Sequence, residues 1–278
     1  MLGHISKDRS DTQRGYAVGG TATYSALTAQ RLGLQAAVVT ACAPEDEPLL
    51  DELRAAGVWV SVVPSKATTT FRNDYDPEGR RTQIISAQAA TIELAHIPDA
   101  WREAPITHLG PVAQELPATL VTAFPASLLG VTPQGWLRSW DAGGRVTHSA
   151  LPVPPPLLSL PANAFLALSI EDLDYNPPLI RRYVKLALRV AITNGSDSAR
   201  LSANGKSATV SAYPAKVVDP TGAGDVFAAA LFIRYAETGD LLASAQFAHA
   251  ADACAIEGVG TSAIPNRHEV ERRVRYNT

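Results

Sequence analysis

The sequence predicts an α/β protein in which a mainly parallel sheet is covered by helices on both faces. Short apolar stretches of strand length alternate with helix-like stretches along most of the 278 residues, a rhythm typical of parallel sheets. Apolar residues make up 46% of the chain and charged residues 18%, so the chain can bury a large core. A single domain spanning residues 1–278 is expected, because domains of this architecture commonly reach that size.

The predicted elements begin after a pair of glycines. Residues 21–32 predict a helix, since helix formers carry an apolar stripe there and Gly33 stands at the usual stop position. Residues 35–40 predict a strand, and residues 45–56 predict a helix that ends before Gly57. Further strands are predicted at residues 58–63, 106–109, 128–131, 165–168 and 190–193.

Two segments interrupt this alternation. Polar, alternating residues 68–75 and 80–85 flank the turn 76–79 and predict a hairpin. Such strands do not suit a sheet buried on both faces, so the hairpin is expected to stand off the body as a lid. A surface hairpin without function is the alternative. Five prolines between residues 152 and 161 predict an exposed connection without regular helix.

Charge, cysteine usage and hydropathy narrow the class of partner. The formal charge of −3 and the lack of a long basic run exclude an obvious nucleic-acid partner, which favours small ligands. Cys42 and Cys254 lie far apart in alanine-rich segments, which predicts reduced thiols and a cytoplasmic location. No apolar run is long enough to predict a membrane span. The six histidines do not show metal-ligand spacing, so no structural metal is expected.

The stretch most informative about chemistry is VVDPTGAGDVF, residues 217–227, which precedes an alanine-rich helix running to about Tyr235. Gly222 and Gly224 let backbone amides approach a ligand, and the helix start adds its positive dipole end, so an anion hole is predicted. Asp225 falls in the first turn, where a carboxylate can take a proton from an attacking hydroxyl. It can equally serve only as a dipole partner, and the residues alone leave both readings open. No P-loop motif is present.

Residues 219–227, DPTGAGDVF, resemble the C-terminal signature of the ribokinase-like carbohydrate kinases, the phosphofructokinase-B type. Residues 3–8, GHISKD, resemble the first-strand motif of that family, and Gly19 with Gly20 resembles the glycine pair that opens its first helix. Weaker similarity extends the resemblance over nearly the whole chain, at residues 79–82, 193–195 and 258–265.

This resemblance implies a ribokinase-like three-layer α/β/α fold with a small β lid, formed mainly by about residues 8–18 and 66–86. It also implies ATP-dependent phosphoryl transfer to a hydroxyl of a sugar or polyol. Asp225 would be the general base, and the amides of the following residues would hold the phosphoryl group: Gly222, Ala223 and Gly224.

Residues of the two substrate sites follow from the same resemblance. On the acceptor side these are Asp8, Gly19, Gly20 and Tyr24, and on the donor side Thr193, Gly195, Thr221, Gly258 and Gly260. Tyr24 stands where the family usually has an asparagine, which indicates either a different acceptor or core packing.

Cations are expected with the donor. Mg²⁺ would accompany ATP, because it offsets the phosphate charge during transfer. The family places an Asn-x-x-Glu motif near that metal, whereas residues 169–172 read SIED, so the acid would be Glu171 or Asp172. Asp219, with the loop at Gly258 and Gly260, resembles a monovalent-cation site for K⁺. Pairing through lids is common in the family, which makes a homodimer the expected assembly.

Residues 129–138 resemble inositol-kinase-like members, so myo-inositol or a related polyol is the expected acceptor. A nucleoside kinase is an alternative, in which Tyr24 would stack on a base. A homologue that binds ligands without transfer is a second alternative. It is motivated by the missing asparagine and by the few residues, Met1 and Leu2, that stand before Gly3 where the family normally has more of its first strand.

Overall fold

A computed structural model describes residues 1–10, 15–75 and 81–276 of the chain. In chain order its strands are β1 (Ser6–Ser10), β2 (Ala17–Gly19), β3 (Ala37–Cys42), β4 (Trp59–Pro64), β5 (Thr70–Tyr75), β6 (Arg81–Ala87), β7 (Ile106–Leu109), β8 (Leu128–Val131), β9 (Arg138–Trp140), β10 (Val146–His148), β11 (Ala164–Ser169), β12 (Arg189–Asn194), β13 (Ser198–Ala203) and β14 (Lys206–Ser211). The helices are α1 (Thr21–Arg31), α2 (Asp51–Ala55), α3 (Gln134–Leu137), α4 (Pro155–Leu158), α5 (Pro177–Tyr183), α6 (Ala223–Thr238), α7 (Leu241–Ala255) and α8 (Arg267–Tyr276).

The large sheet is mainly parallel. Six of its strands run in the order β14-β13-β12-β11-β8-β7, and β3 pairs in parallel with β4. Leu2 joins the two parts, because it forms parallel bridges to Val39 in β3 and to Leu109 in β7. Within this sheet as described, the antiparallel pairings are those of β13 with β12 and with β14. The predicted three-layer α/β/α class is confirmed.

Apolar cores lie on both faces of the large sheet, because successive strand residues point to opposite sides. In β11, Phe165 packs into the core beneath α1, α6 and α7, whereas Leu166 packs into the opposite core with α4 and α5. Both side chains are fully buried. Helix α6 is almost entirely apolar from Val226 to Ile233, as suits a helix enclosed between the sheet and its neighbours.

A separate four-stranded sheet, here called the small sheet, has the order β2-β1-β5-β6. Strand β1 pairs in parallel with β5, placing Asp8 opposite Phe71, and β5 pairs antiparallel with β6. The predicted hairpin is confirmed in its strands, while its turn at 76–79 lies outside the described residues. Lys7 Nζ in β1 donates to Asp46 Oδ2 of the body at 2.6 Å, so an ion pair joins the small sheet to the body.

Three details differ from the sequence predictions. The helix predicted at 45–56 begins as a 3₁₀ segment, Pro44–Leu50, and becomes α-helical only at α2, since Pro48 lacks an amide to donate. The proline-rich stretch contains the one-turn helix α4, so the prediction of no helix was wrong: Pro155 and Pro156 occupy first-turn positions, where proline is tolerated. The antiparallel strands β13 and β14 were not predicted.

No helix in the described part of the chain is both long and apolar enough to cross a membrane. The two cysteines are unbridged, with Cys42 buried and Cys254 half-buried.

Candidate active site

A cleft of about 1620 Å³ separates the small sheet from the carboxyl ends of the parallel strands. It is lined where β8, β11 and β12 end, by Thr132, Ser169 and Thr193, which is where open α/β sheets usually bind ligands. Most residues predicted for the site line this one cleft: Asp8, Gly20, Tyr24, Glu171, Asp172, Thr193, Gly195, Asp219, Thr221, Gly222, Ala223, Gly224, Asp225 and Gly260. Gly19 and Gly258 are adjacent in sequence to lining residues without being part of the lining.

Asp225 occupies the first turn of α6, at the wall of the cleft. Burial raises the pKa of its carboxyl to about 6, although the Thr21 hydroxyl and the charge of Arg138 oppose this rise. The negative charges of Asp172 and Asp8 raise it further. A carboxyl with this pKa is mostly ionised at neutral pH yet basic enough to take a proton, which suits a general base.

The loop before α6 is shaped by a glycine in contact with a tyrosine. Gly222 caps the helix with φ of 79°, a left-handed conformation that glycine adopts without strain. A Cβ there would collide with the ring of Tyr24. Tyr24 is 3% exposed, and burial with nearby carboxylates raises the pKa of its phenol. Tyr24 therefore packs beneath the loop that precedes α6, and little of its ring is open to the cleft. This corresponds to the core-packing alternative of the sequence prediction.

Asp8 extends from β1 into the cleft, where Ser6 Oγ donates to its Oδ1 at 3.2 Å. Gly19 supports this position from the neighbouring strand, since a Cβ there would collide with the Asp8 carboxylate. Gly20 begins α1 with φ of 89° and lies against the His4 carbonyl, where a side chain has no room. The glycine pair thus lets the small sheet, α1 and Asp8 meet closely.

Asp219 joins two loops at the wall of the cleft. Its Oδ1 accepts from the amide of Thr221 at 2.9 Å, and its Oδ2 accepts from the amide of Gly260 at 2.9 Å. Burial opposes ionisation of this carboxyl, but the hydrogen bonds from Thr221 and Gly260 outweigh it and lower the pKa. Both carboxylate oxygens therefore accept hydrogen bonds from the backbone and stabilise the two loops. The prediction of Asp219 as a K⁺ ligand did not consider this structural role.

Glu171 and Asp172 follow β11 and line the cleft. Asp172 Oδ2 accepts from the amide of Ser169 at 2.9 Å, which fixes its direction. Burial raises the pKa of Asp172, partly offset by that bond and by the charge of Arg138. Within residues 1–10, 15–75 and 81–276, no group of three His, Cys, Asp or Glu could hold a metal ion. A cation would need donor oxygens beside one or both of these carboxylates.

Arg138, Asn73 and Gln83 are among the cleft residues that the predicted site lacked. Arg138 is 6% exposed, donates from Nη1 to the Val112 carbonyl at 2.8 Å, and lies 5.0 Å from the ring centre of Phe71. Asn73 and Gln83 lie opposite each other in β5 and β6 and also line the cleft. For Asn73 and Gln83 the available sequence signal was the alternation of polar residues in the hairpin. That alternation indicates a polar face but does not show which part of the protein the face contacts.

The fold is that of the ribokinase-family kinases. A sequence profile described as pfkB family carbohydrate kinase matches residues 179–268. Over those residues the chain is similar to carbohydrate kinases of the pfkB family.

Relatives and solved structures agree with this family. Inositol 3-kinase of Oryza sativa subsp. japonica is 30% identical over 219 residues, covering 74% of this chain and 50% of the relative. The chain thus spans about half the length of that relative. A pyrophosphate-dependent kinase of the ribokinase family, solved with a pyrophosphate analogue and myo-inositol, superposes with a TM-score of 0.81 at 22% identity, covering 98% of both chains. A nucleoside kinase of Methanocaldococcus jannaschii superposes with a TM-score of 0.75 at 17% identity, covering 99% and 96%.

Proposed function

We propose that this protein is a kinase that transfers the terminal phosphoryl group of ATP to a hydroxyl of a small polyol or sugar, with a myo-inositol-like acceptor. The observation that carries the proposal is the position of Asp225. Its carboxyl, with a pKa of about 6, lies in the first turn of a helix whose glycine-lined start opens into the same cleft as Asp8. A base, an anion hole and a second carboxylate for hydroxyl groups therefore share one space.

In the proposed reaction the acceptor hydroxyl attacks the terminal phosphorus of ATP while Asp225 takes the hydroxyl proton, and the bond from that phosphorus to the bridging oxygen breaks so that ADP leaves. The amides of Gly222 and Gly224 stand at the start of α6, where they would offset the charge that grows on the phosphoryl oxygens. The Ala223 amide, which the sequence placed in the same anion hole, instead donates to the Pro220 carbonyl at 3.2 Å. Glu171 and Asp172 would hold Mg²⁺ through water or donor oxygens, and the ion would offset the phosphate charge. Positioning of the two reactants supplies most of the acceleration.

The acceptor class is supported by Asp8, because each carboxylate oxygen accepts a hydroxyl hydrogen independently. The small sheet would act as the lid over the acceptor, in the place of the lid expected at about residues 8–18 and 66–86. The inositol 3-kinase from rice and the myo-inositol complex of the superposed kinase point to a cyclic polyol.

ATP is proposed as the donor over pyrophosphate, which the superposed kinase uses. Beyond the phosphate loop the cleft continues along apolar side chains that stay open to solvent. Val217, Val218 and Val259 are 58%, 53% and 68% exposed, and all three line the cleft. A flat base covering such residues removes apolar area from water, whereas pyrophosphate has nothing to place there. A requirement for K⁺, a homodimer and a cytoplasmic location stay predictions.

Donor and acceptor are tested together by measuring phosphoryl transfer with ³¹P NMR at saturating Mg²⁺. ATP and pyrophosphate are each paired with inositols, hexoses, pentoses and nucleosides, with and without K⁺. The proposal expects ATP with a cyclic polyol to give the highest kcat/KM. Transfer from pyrophosphate alone would contradict the donor, and preferential phosphorylation of nucleosides would establish the nucleoside-kinase alternative. Binding of both ligands without transfer would identify a non-catalytic homologue.

A further inference from the structure

The lid strands β5 and β6 contain a polar pair in the cleft. Asn73 and Gln83 are direct partners in the antiparallel register, and both side chains line the cleft. Gln83 Nε2 donates to Asn73 Oδ1 at 3.0 Å. This bond fixes the direction of the Gln83 amide, so its oxygen is the group left for another partner.

That oxygen is unpartnered. Gln83 is 9% exposed, and its Oε1 is buried without a hydrogen-bond donor among the described residues. Buried carbonyl oxygens are nearly always paired, because leaving one unpaired is costly. An apolar side chain at this position would avoid the cost, so the amide suits a donor that arrives with a ligand.

The position of Gln83 indicates what kind of donor would arrive. Asp8 stands in β1, Asn73 in the adjacent β5, and Gln83 in β6, one strand further. Two strand spacings across the lid and two residues along the strands separate the Asp8 and Gln83 backbones, a distance of about 12 Å. A small polyol held at both ends would have one orientation beneath the lid. Phosphate oxygens cannot serve Gln83 Oε1, because they accept and do not donate hydrogen bonds.

We infer that Gln83, anchored by Asn73, accepts a hydrogen bond from a hydroxyl of the acceptor other than the one phosphorylated, and so selects which hydroxyl reaches Asp225. This inference rests on the proposed function for its substrate class. It makes Gln83 a specificity residue of the acceptor site, acting through the orientation of the polyol.

The test compares wild type with Gln83→Met, which keeps length and removes both polar atoms. Gln88→Met is the matched control, because Gln88 directly follows β6, donates to the Ala113 carbonyl and does not line the cleft. Binding of myo-inositol and of its monodeoxy analogues is measured by calorimetry without donor, and the phosphorylated position is read by NMR with ATP.

Gln83→Met is expected to weaken myo-inositol binding about tenfold, as for one lost hydrogen bond that leaves a hydroxyl unpaired. One monodeoxy analogue should bind wild type and Gln83→Met equally, since its missing hydroxyl is the partner of Gln83. The ratio of phosphorylated positions should also change. Gln88→Met should lower the melting temperature with unchanged affinity, whereas Gln83→Met should retain the wild-type melting temperature.

Equal affinity of wild type and Gln83→Met for myo-inositol would overturn the inference. So would a loss that is the same for every monodeoxy analogue, because no hydroxyl would then match Gln83. Failure of wild type to bind myo-inositol also overturns it. Binding without phosphoryl transfer, by contrast, overturns the proposed function and leaves the role of Gln83 in recognition standing.

Discussion

At the scale of single residues, Asp225 combines a chemical need with a cost to the fold. In the proposed reaction its carboxylate must be ionised to accept a proton, while its burial disfavours ionisation and raises the pKa to about 6. Thr21 and Arg138 lessen that effect without cancelling it. The balance leaves a base that is available at neutral pH and still has affinity for a proton.

Asp225→Asn should lower kcat by about two to four orders of magnitude, because the amide cannot take the proton. For wild type, kcat/KM should rise with pH through about 6 and then level off, since only the ionised form is active. Steady-state kinetics across pH 5 to about 9 would measure both effects. A wild-type profile that is flat through this range, or near-normal turnover in Asp225→Asn, would remove Asp225 from the base role.

The same substitution should stabilise the fold at neutral pH. The folded pKa lies above the unfolded value, so the folded state holds its proton longer and wild-type stability falls as pH rises from about 4 to about 6. Asp225→Asn does not undergo this loss, so its free energy of unfolding should exceed that of wild type by about 1–2 kcal/mol at pH 7. Urea denaturation at pH 4 and pH 7 measures the difference, which should shrink at the lower pH. A constant difference at both values would point to a cause other than ionisation.

At the scale of elements, the junction of β2 and α1 positions the carboxylate of Asp8. Gly19 leaves the space that the Asp8 side chain fills, and Gly20 turns the chain into α1 against the His4 carbonyl. Neither glycine binds a ligand through a side chain. Their effect on the site is to keep other atoms out of it.

Gly19→Ala should raise KM for the acceptor at least tenfold with a smaller change in KM for ATP, because the added methyl collides with the Asp8 carboxylate. Initial-rate kinetics with each substrate varied in turn would separate the two values. Gly239→Ala is the control: it places a methyl at a left-handed C-cap with no atom nearby, so it should lower stability while retaining the acceptor KM. Equal effects of Gly19→Ala on both KM values would argue for general disruption.

Elements with a strong local pattern in the sequence were predicted well, and contacts between distant residues were not. Apolar strands such as β7 and β8 were bounded correctly, because buried parallel strands are continuous apolar runs. The loop before α6 was recognised from its glycines and aspartates. Tyr24 could not be placed from sequence, since its neighbour Gly222 is almost 200 residues away. Arg138, Asn73 and Gln83 were missed as site residues for the same reason: only the lid and body together make them neighbours.

At the scale of the whole molecule, the ion pair between Lys7 and Asp46 connects the small sheet to the body. The side chains are 16% and 8% exposed, so water screens them weakly. Burial disfavours the Asp46 charge, but the hydrogen bonds from Lys7 and Thr68 prevail and lower its pKa. The pair therefore contributes stability above the unfolded pKa of a carboxyl, and the contribution is lost as pH falls through the lowered folded value.

Asp46→Asn should cost about 1–2 kcal/mol at pH 7, because Lys7 loses its partner in a largely buried place. The deficit should narrow below about pH 4, where wild type also loses the charge. Acceptor KM should rise as the lid loses this anchor. Thermal denaturation would measure the stability, and initial-rate kinetics would measure the acceptor KM.

Arg54→Ala is the control, because it removes an exposed ion pair with Glu47 and should change stability by no more than about 0.5 kcal/mol. A similar loss of stability in both variants would count against a special role for the Lys7 pair.

The carboxylate of Asp219 holds one amide from each of two loops that are about forty residues apart in the chain. Thr221 and Gly260 cannot separate without breaking one of these bonds, so the two loops move as one rigid piece. A donor that displaces the second loop would therefore shift the backbone beside the reacting phosphorus. In the proposed reaction, the shape of the donor would thus affect the loop beside Asp225 through these backbone contacts, even where no donor atom touches Asp225.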